Sequence, residues 1–264
     1  MFKKAKTFAI VSSGLIVAGA LGVFAAINFT ILKLQLKFKD RESAGNMLAE
    51  ILKSRLKKNA IERDVDDKKE RQNDIIVLGI ARGGVIIADV IARKLSADFD
   101  IVIARRVRDP QNREQAIGAV MGDGTTTYIN PKCVNELQIS NEYYIEKETL
   151  EQIKEAEHRT EIYRKTERKY KIKSRIVILV DDGAATGATI IAAARWVRKQ
   201  GPKHLIIALP VAPRQTVNLL KKEADAIEVI TSPSSSHFRF VEHFYQNFDP
   251  VTDEQVVEIL QKRN

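Results

Sequence analysis

One run of twelve residues constrains this chain more than any other: Ile178-Leu179-Val180-Asp181-Asp182-Gly183-Ala184-Ala185-Thr186-Gly187-Ala188-Thr189. An apolar stretch runs into two adjacent carboxylates, and small or hydroxylated residues follow at once. That order predicts a buried β-strand ending at the acids, a tight turn, and a helix opening near Gly187. Acids so placed stand at the carboxyl edge of a parallel sheet, where open α/β folds bind ligands. The turn suits a phosphate. Its backbone N–H groups point outward, glycine and alanine permit close approach, Thr186 and Thr189 can donate further hydrogen bonds, and the helix dipole favours an anion. Asp181 and Asp182 repel a phosphate, so they serve something beside it: the two hydroxyls of a ribose, or a magnesium ion that bridges to it. A Walker A loop is excluded, because its Gly-Lys-Ser/Thr ending is absent.

The rest of the body continues the alternation. Asp40 can cap a helix whose apolar face is Ala44, Met47, Leu48, Ile51 and Leu52. Residues 59–73 carry mixed charge and few apolar side chains, as a solvated loop does. Residues 74–80 form a short apolar strand, Ala81-Arg82-Gly83-Gly84 a turn, and residues 85–95 a helix. Strand character returns over 98–107, and 116–130 reads as a hairpin turning at Gly122-Asp123-Gly124. Residues 141–173 are dominated by Glu, Lys and Arg. They are expected as one long solvated helix, with Tyr144, Leu150, Ile153, Ala156 and Tyr163 along a narrow packed stripe. A strand over 175–180, a helix ending near Gln200 and a strand over 204–212 complete a βαβ unit, and a helix from Gln215 and a strand over 226–231 extend it. The expected fold class is α/β, a mainly parallel sheet flanked by helices.

The amino-terminal segment is of another kind. Residues 7–32 contain no charged side chain. A helix of about 25 residues rises about 38 Å, enough to cross the roughly 30 Å hydrocarbon layer. Lys3, Lys4 and Lys6 precede the segment, and Lys33, Lys37 and Lys39 follow it. A cleaved signal peptide ending at Ala18-Gly19-Ala20 is the rival, but residues 21–32 behind that site are still apolar. The expectation is a membrane anchor over 1–37, spanning with 7–32, followed by a second domain over 38–264. Lysines flank both ends at similar density, so the positive-inside rule does not orient the anchor.

Net charge adds one constraint. Forty-three basic against 34 acidic residues give +9, which suits nucleic acid, an anionic membrane surface or a phosphorylated ligand. The lone cysteine, Cys133, excludes an intramolecular disulfide and any cysteine-based metal cluster.

The strand, acid pair, small residues and Thr-x-x-Thr order over 178–189 resembles the ribose-phosphate loop of the type I phosphoribosyltransferases. The likeness extends from Phe38 to the C-terminus. It is similar to a bacterial and archaeal subgroup of phosphoribosyltransferase-domain proteins that begin with Phe-x-Asp-Arg, here Phe38-Lys39-Asp40-Arg41. The subgroup's Pro-Arg-Gly-Gly turn is Ala81-Arg82-Gly83-Gly84 here, with the proline lost. Its Arg-Lys pair, proline, glutamate and Ala-Ile-Gly match Arg105-Arg106, Pro110, Glu114 and Ala116-Ile117-Gly118 in order, with arginine in place of the lysine. Its closing aromatic segment matches Phe238, Val241, Phe244-Tyr245 and Phe248, followed by residues 251–254. Glu242 stands where glycine is expected.

The resemblance implies an enzyme that takes 5-phosphoribosyl pyrophosphate with Mg2+ and an unidentified acceptor. Asp181 and Asp182 would hold the ribose hydroxyls and magnesium. Gly183, Ala184, Ala185, Thr186, Gly187, Ala188 and Thr189 would hold the 5′-phosphate. Ala81, Arg82, Gly83 and Gly84 would hold the pyrophosphate, and Arg105 and Arg106, with Glu114, would close over the donor in a mobile loop. The donor is intracellular, so the catalytic domain would face the cytosol; a homodimer is a further expectation. Two rivals stand beside this reading. One is a membrane-tethered regulator that binds the donor or a nucleotide without turnover. The other, a membrane-bound nucleic-acid binder, has no helix-turn-helix or aromatic RNA-binding motif behind it.

Overall fold

The computed structural model describes residues 37–61, 74–113, 115–139, 142–163 and 171–263. The chain divides into two units, Met1–Lys37 and Phe38–Asn264, and the fold is that of the second. The anchor expected over 7–32 lies outside the described residues, as do Glu114 and most of the loop expected over 59–73. Among the described residues no helix is long and apolar enough to cross a membrane.

In chain order the elements are α1 (Arg41–Ile61), β1 (Ile75–Ile80), α2 (Gly83–Leu95), β2 (Asp98–Val102), β3 (Ala104–Arg108), β4 (Ala116–Met121) and β5 (Thr127–Ile129). There follow α3 (Pro131–Glu136), α4 (Glu142–Tyr163), β6 (Ile176–Val180), α5 (Ala188–Lys199), β7 (His204–Val211), α6 (Arg214–Leu220), β8 (Ala226–Thr231) and α7 (Asp253–Lys262). Five strands pair in parallel in the order β2-β1-β6-β7-β8. All but the first residue of β6 and of β7 are buried, as expected of strands covered on both faces. From β1 the chain moves outward to β2, and from β6 it moves the opposite way to β7. The order reverses between β1 and β6, which pair through Gly79 and Val180 at their carboxyl ends. That reversal opens a crevice where the two following turns meet.

The expected single strand over 98–107 is two strands in different sheets. β2 joins the parallel sheet, whereas β3 pairs antiparallel with β4, and β4 with β5. The composition explains the break at Ile103: Ala-Arg-Arg-Val-Arg cannot enter a sheet buried on both faces, but suits a small sheet with one polar face. The hairpin over 116–130 forms as expected, with Gly124 at φ +67° in its turn.

Helix α4 is described over Glu142–Tyr163, and residues 164–170 lie outside the described residues; the 141–173 expectation is too long at its far end, because residues 171–173 are not helical and Ile172 is buried in the lead into β6. Its packed stripe also differs. Glu148, Gln152, Ala156 and Tyr163 are buried, while Leu150 is 54% exposed. Polar side chains are tolerated there because they find partners: Gln152 donates to Glu148 and accepts from Arg105. Asp40 caps α1, its carboxylate accepting from the Ser43 N–H at 2.7 Å. The buried face of α1 is Ala44, Leu48, Ala49 and Leu52, with Met47 and Ile51 turned outward. Gly45 sets that rotation, since a Cβ there would meet Val90 Cβ of α2 at 3.0 Å.

Helix α5 ties the small sheet to the large one. Trp196 Nε1 donates to Asp123 at 2.6 Å, Lys199 donates to the Thr125 carbonyl at 2.8 Å, and the Arg195 guanidinium lies 4.8 Å over the Tyr128 ring.

Candidate functional site

Two turns meet at the crevice. The turn after β1 carries Ala81, Arg82, Gly83 and Gly84, with a cis Ala81–Arg82 peptide, and the turn after β6 carries Asp181 to Thr189. Their contact needs glycine at both positions. A Cβ on Gly83 would lie 1.8 Å from Asp182 Oδ2, and one on Gly84 would lie 2.6 Å from the Val180 carbonyl oxygen and 2.8 Å from Asp181 Cα. The acid pair is therefore pressed against the double-glycine turn, although Gly83 and Asp182 lie 99 positions apart in sequence.

The two acids differ. Asp181 turns its Oδ1 to the Asp182 N–H at 2.9 Å. Asp182 accepts from Arg41 Nε at 2.9 Å, and its backbone carbonyl accepts the Tyr245 hydroxyl at 2.6 Å. The Asp182 side chain keeps 16% of its surface accessible, so the pair is walled by protein and open along one edge. Burial, and then the neighbouring Asp182 carboxylate, raises the Asp181 carboxyl well above the ordinary carboxylate range. Burial raises Asp182 as well, against the opposing pull of the Arg41 guanidinium. Burial next to Asp182 also pushes the Tyr245 phenol up, so it stays a hydrogen-bond donor.

From Gly183 the chain forms a tight loop. Its Ala184 N–H donates to the Val211 carbonyl at 3.0 Å, and the Ala185 carbonyl accepts from the Thr216 hydroxyl. Gly187 sits at φ +78° and opens α5 without a side-chain cap. The first amides of α5 are thus available for an anion, with the positive end of the helix behind them. The Ala188 N–H makes a long 3.4 Å contact with Thr186 Oγ1.

The arginines of β3 separate by strand alternation. Arg105 points away from the acids, with Nε on Gln152 at 3.1 Å and Nη2 3.9 Å from Glu155. Arg106 is exposed, and its charge favours the ionised form of both Asp181 and Asp182. Arg82, at the start of α2, lies 3.7 Å from Asp253 at the start of α7. Of the expected site residues, the structure gathers Ala81 to Gly84, Asp181 to Thr189 and the charge of Arg106. It turns Arg105 to α4, and Glu114 lies outside the described residues.

Several site residues escaped the sequence reading. Arg41 and Tyr245 both hold Asp182, and Asp253 holds Arg82 and accepts from the Tyr163 hydroxyl. The Phe-x-Asp-Arg segment and the closing aromatics were visible in sequence, but nothing there placed either on an acid more than sixty positions away.

The donor chemistry fits magnesium only with help from a ligand. Among the described residues no group of three or more His, Cys, Asp and Glu could hold a metal. Magnesium, however, is commonly held by one or two carboxylates and completes its shell with substrate oxygens and water, and Asp181 with Asp182 is such a pair.

Fold and site together define an open α/β protein in which an acid pair, a double-glycine turn and a helix N-terminus meet at the reversal of the parallel sheet. Residues 46–249 match the phosphoribosyl transferase domain family, and the chain belongs to it. It is 30% identical over 225 residues to provisionally named phosphoribosyl transferases of two Mycobacterium tuberculosis strains, a match covering 85% of this chain and 46% of theirs. The chain thus spans about half the length of the curated relatives it matches. The crystal structure of TT1426 from Thermus thermophilus is similar at 35% identity and a TM-score of 0.64, covering 86% of this chain and 98% of that one.

Proposed function

We propose that this chain transfers phosphoribose from 5-phosphoribosyl pyrophosphate, bound with magnesium, to a nitrogenous base or other acceptor. The observation that carries the reading is the acid pair pressed against Gly83 and Gly84 beside the loop that opens α5. An acceptor nitrogen attacks the anomeric carbon, the bond from that carbon to the pyrophosphate oxygen breaks, and its electrons leave with pyrophosphate. Positive charge develops on the ribose ring. Asp181 and Asp182 lie against the ribose hydroxyls, and residues 183–189 receive the 5′-phosphate. Arg82, Gly83 and Gly84 meet the pyrophosphate, and Arg106 adds charge over the donor. Magnesium, when bound through the acid pair and the donor, neutralises part of the leaving group's charge. Closure over the donor would exclude water, which otherwise hydrolyses it.

The test is to incubate the full-length protein with donor, magnesium and each of the common purine and pyrimidine bases, and to measure pyrophosphate. Acceptor-dependent release is expected. Donor binding without release for any acceptor would overturn transfer and leave the regulator reading.

The arginines of β3 give a second expected result. Arg105→Ala should cost about 1–2 kcal/mol of stability, because its partners lie on α4. Arg106→Ala should leave the thermal midpoint close to wild type and raise the KM for the donor. Thermal unfolding and donor titration of the two variants check the contrast, and a reversed pattern would reassign the pair.

We also propose that residues 7–32 span a bilayer with the domain in the cytosol, where the donor is made. Homodimerisation belongs to the same family-based reading, and nucleic acid remains the least supported partner. The protein should stay with washed membranes, and protease added to whole cells should leave the domain intact. Recovery of the full chain in the soluble fraction would rule the anchor out.

A further inference from the structure

Arg41 is held more completely than an ordinary surface arginine. Its Nε donates to Asp182 Oδ2 at 2.9 Å, its Nη1 donates to the Asp249 carbonyl at 2.8 Å, and its guanidinium lies 3.8 Å from the centre of the Phe248 ring. Only 9% of its side-chain surface is accessible. One planar group thus uses one edge for a carboxylate, another for a carbonyl and a face for an aromatic ring, which a lysine cannot do. The backbone around it is pinned as well. The Phe38 N–H donates to the Phe244 carbonyl at 2.8 Å, the Gln246 N–H to the Phe38 carbonyl at 2.7 Å, and the Asn247 N–H to the Lys39 carbonyl at 2.9 Å. The start and the end of the domain therefore form one clamp, and its cationic tip is aimed at one acid of the pair.

The clamp changes the charge of the crevice. Two adjacent carboxylates facing it present two negative charges to a donor that carries a pyrophosphate and a phosphate. With Arg41 paired to Asp182, one of those two charges is offset. Asp181 instead spends its Oδ1 on a backbone N–H, and the cation that acts on it most strongly is the exposed Arg106.

Resting on the proposed donor site, we propose that Arg41 is a positioning residue that divides the labour of the acid pair. It neutralises Asp182 and holds it against the Gly83 turn, leaving Asp181 as the carboxylate that meets the ribose hydroxyls and donor-bound magnesium. Its removal has effects of opposite sign on two ligands. A second carboxylate set free attracts a bare divalent cation and repels the anionic donor.

The experiment measures Mn2+ binding alone, by titration calorimetry, and the KM and kcat for 5-phosphoribosyl pyrophosphate, on the full chain and on Arg41→Gln and Arg41→Lys. Arg41→Gln should bind Mn2+ at least 3-fold more tightly, raise the donor KM at least 10-fold and change kcat less than KM. Arg41→Lys, which keeps the charge and loses the fork, should return Mn2+ affinity to the wild-type value and recover part of the donor KM. If Arg41→Gln does not fold, the lysine variant alone carries the test through its unchanged Mn2+ affinity beside a raised donor KM. Loss of both affinities in a folded Arg41→Gln would mark a merely structural clamp and overturn the division of labour, as would no change in either. A wild-type protein that binds no donor would instead overturn the site reading itself.

Discussion

Replacing Asp181 and Asp182 together by asparagine should abolish pyrophosphate release, by about 100-fold or more, and leave a folded protein that is more stable than wild type at neutral pH. Both outcomes come from the same geometry. The acids are the negative groups aimed into the crevice, so their loss removes contact with the ribose hydroxyls and with magnesium. Asparagine keeps the local structure, since its amide oxygen can still accept from the backbone N–H of position 182 as Asp181 does now at 2.9 Å. The stability gain follows from the proton affinities. Burial and the like-charged neighbour raise the Asp181 carboxyl above its unfolded value. A raised carboxyl favours the folded state while it is protonated, below the ordinary carboxylate range, and that contribution is lost as pH rises through the folded value. Above the ordinary carboxylate range the ligand-free wild type therefore loses a contribution to stability that asparagine, which does not titrate, keeps. Thermal unfolding of both proteins should show the variant's advantage at pH 8 and a smaller one toward pH 5. Undiminished pyrophosphate release from the double variant would remove these acids from the reaction.

The glycine turn supplies the second large effect. At Gly84 the obstacles to a methyl group are backbone, the Val180 carbonyl at 2.6 Å and Asp181 Cα at 2.8 Å, so Gly84→Ala must push two elements apart. Overpacking of this kind costs about 2–3 kcal/mol, or roughly 5–10 °C in a domain of this size. At Gly83 the obstacle is the Asp182 carboxylate at 1.8 Å, the tip of a side chain held by Arg41. Gly83→Ala should therefore displace Asp182 from Arg41 and weaken donor binding, with a smaller loss of thermal midpoint than Gly84→Ala. Calorimetric unfolding and donor titration of both variants test the contrast. Equal, small effects at the two positions would mean that the turns do not touch as described.

Much of this site was legible in the chain. The apolar run into Asp181, the small residues behind it and the turn at Arg82 to Gly84 are local patterns, and each is where those patterns put it. The alternation of apolar strands and helices is equally local, because a strand covered on both faces must be apolar throughout. Three readings failed where local pattern met tertiary context. The stretch 98–107 looks continuous, but Arg105 and Arg106 exclude its second half from a sheet buried on both faces. Met47 and Ile51 look like core, but the close approach at Gly45 turns them outward. Leu150 looks like the stripe of α4, whereas Glu148 and Gln152 occupy it because β3 supplies Arg105 as a partner.

The sequence by itself determined the family and the chemistry on offer. Carboxylates, glycines and hydroxyls at the end of an apolar strand are short-range order, written over a dozen neighbouring positions. Only the tertiary structure decided how those groups are used. It brought Arg41 across 141 positions onto Asp182, set Tyr245 on the same residue, sent Arg105 away from the acids and left Arg106 beside them. Such pairings depend on which elements pack together and on which side of a strand a residue falls, and no local spacing encodes either.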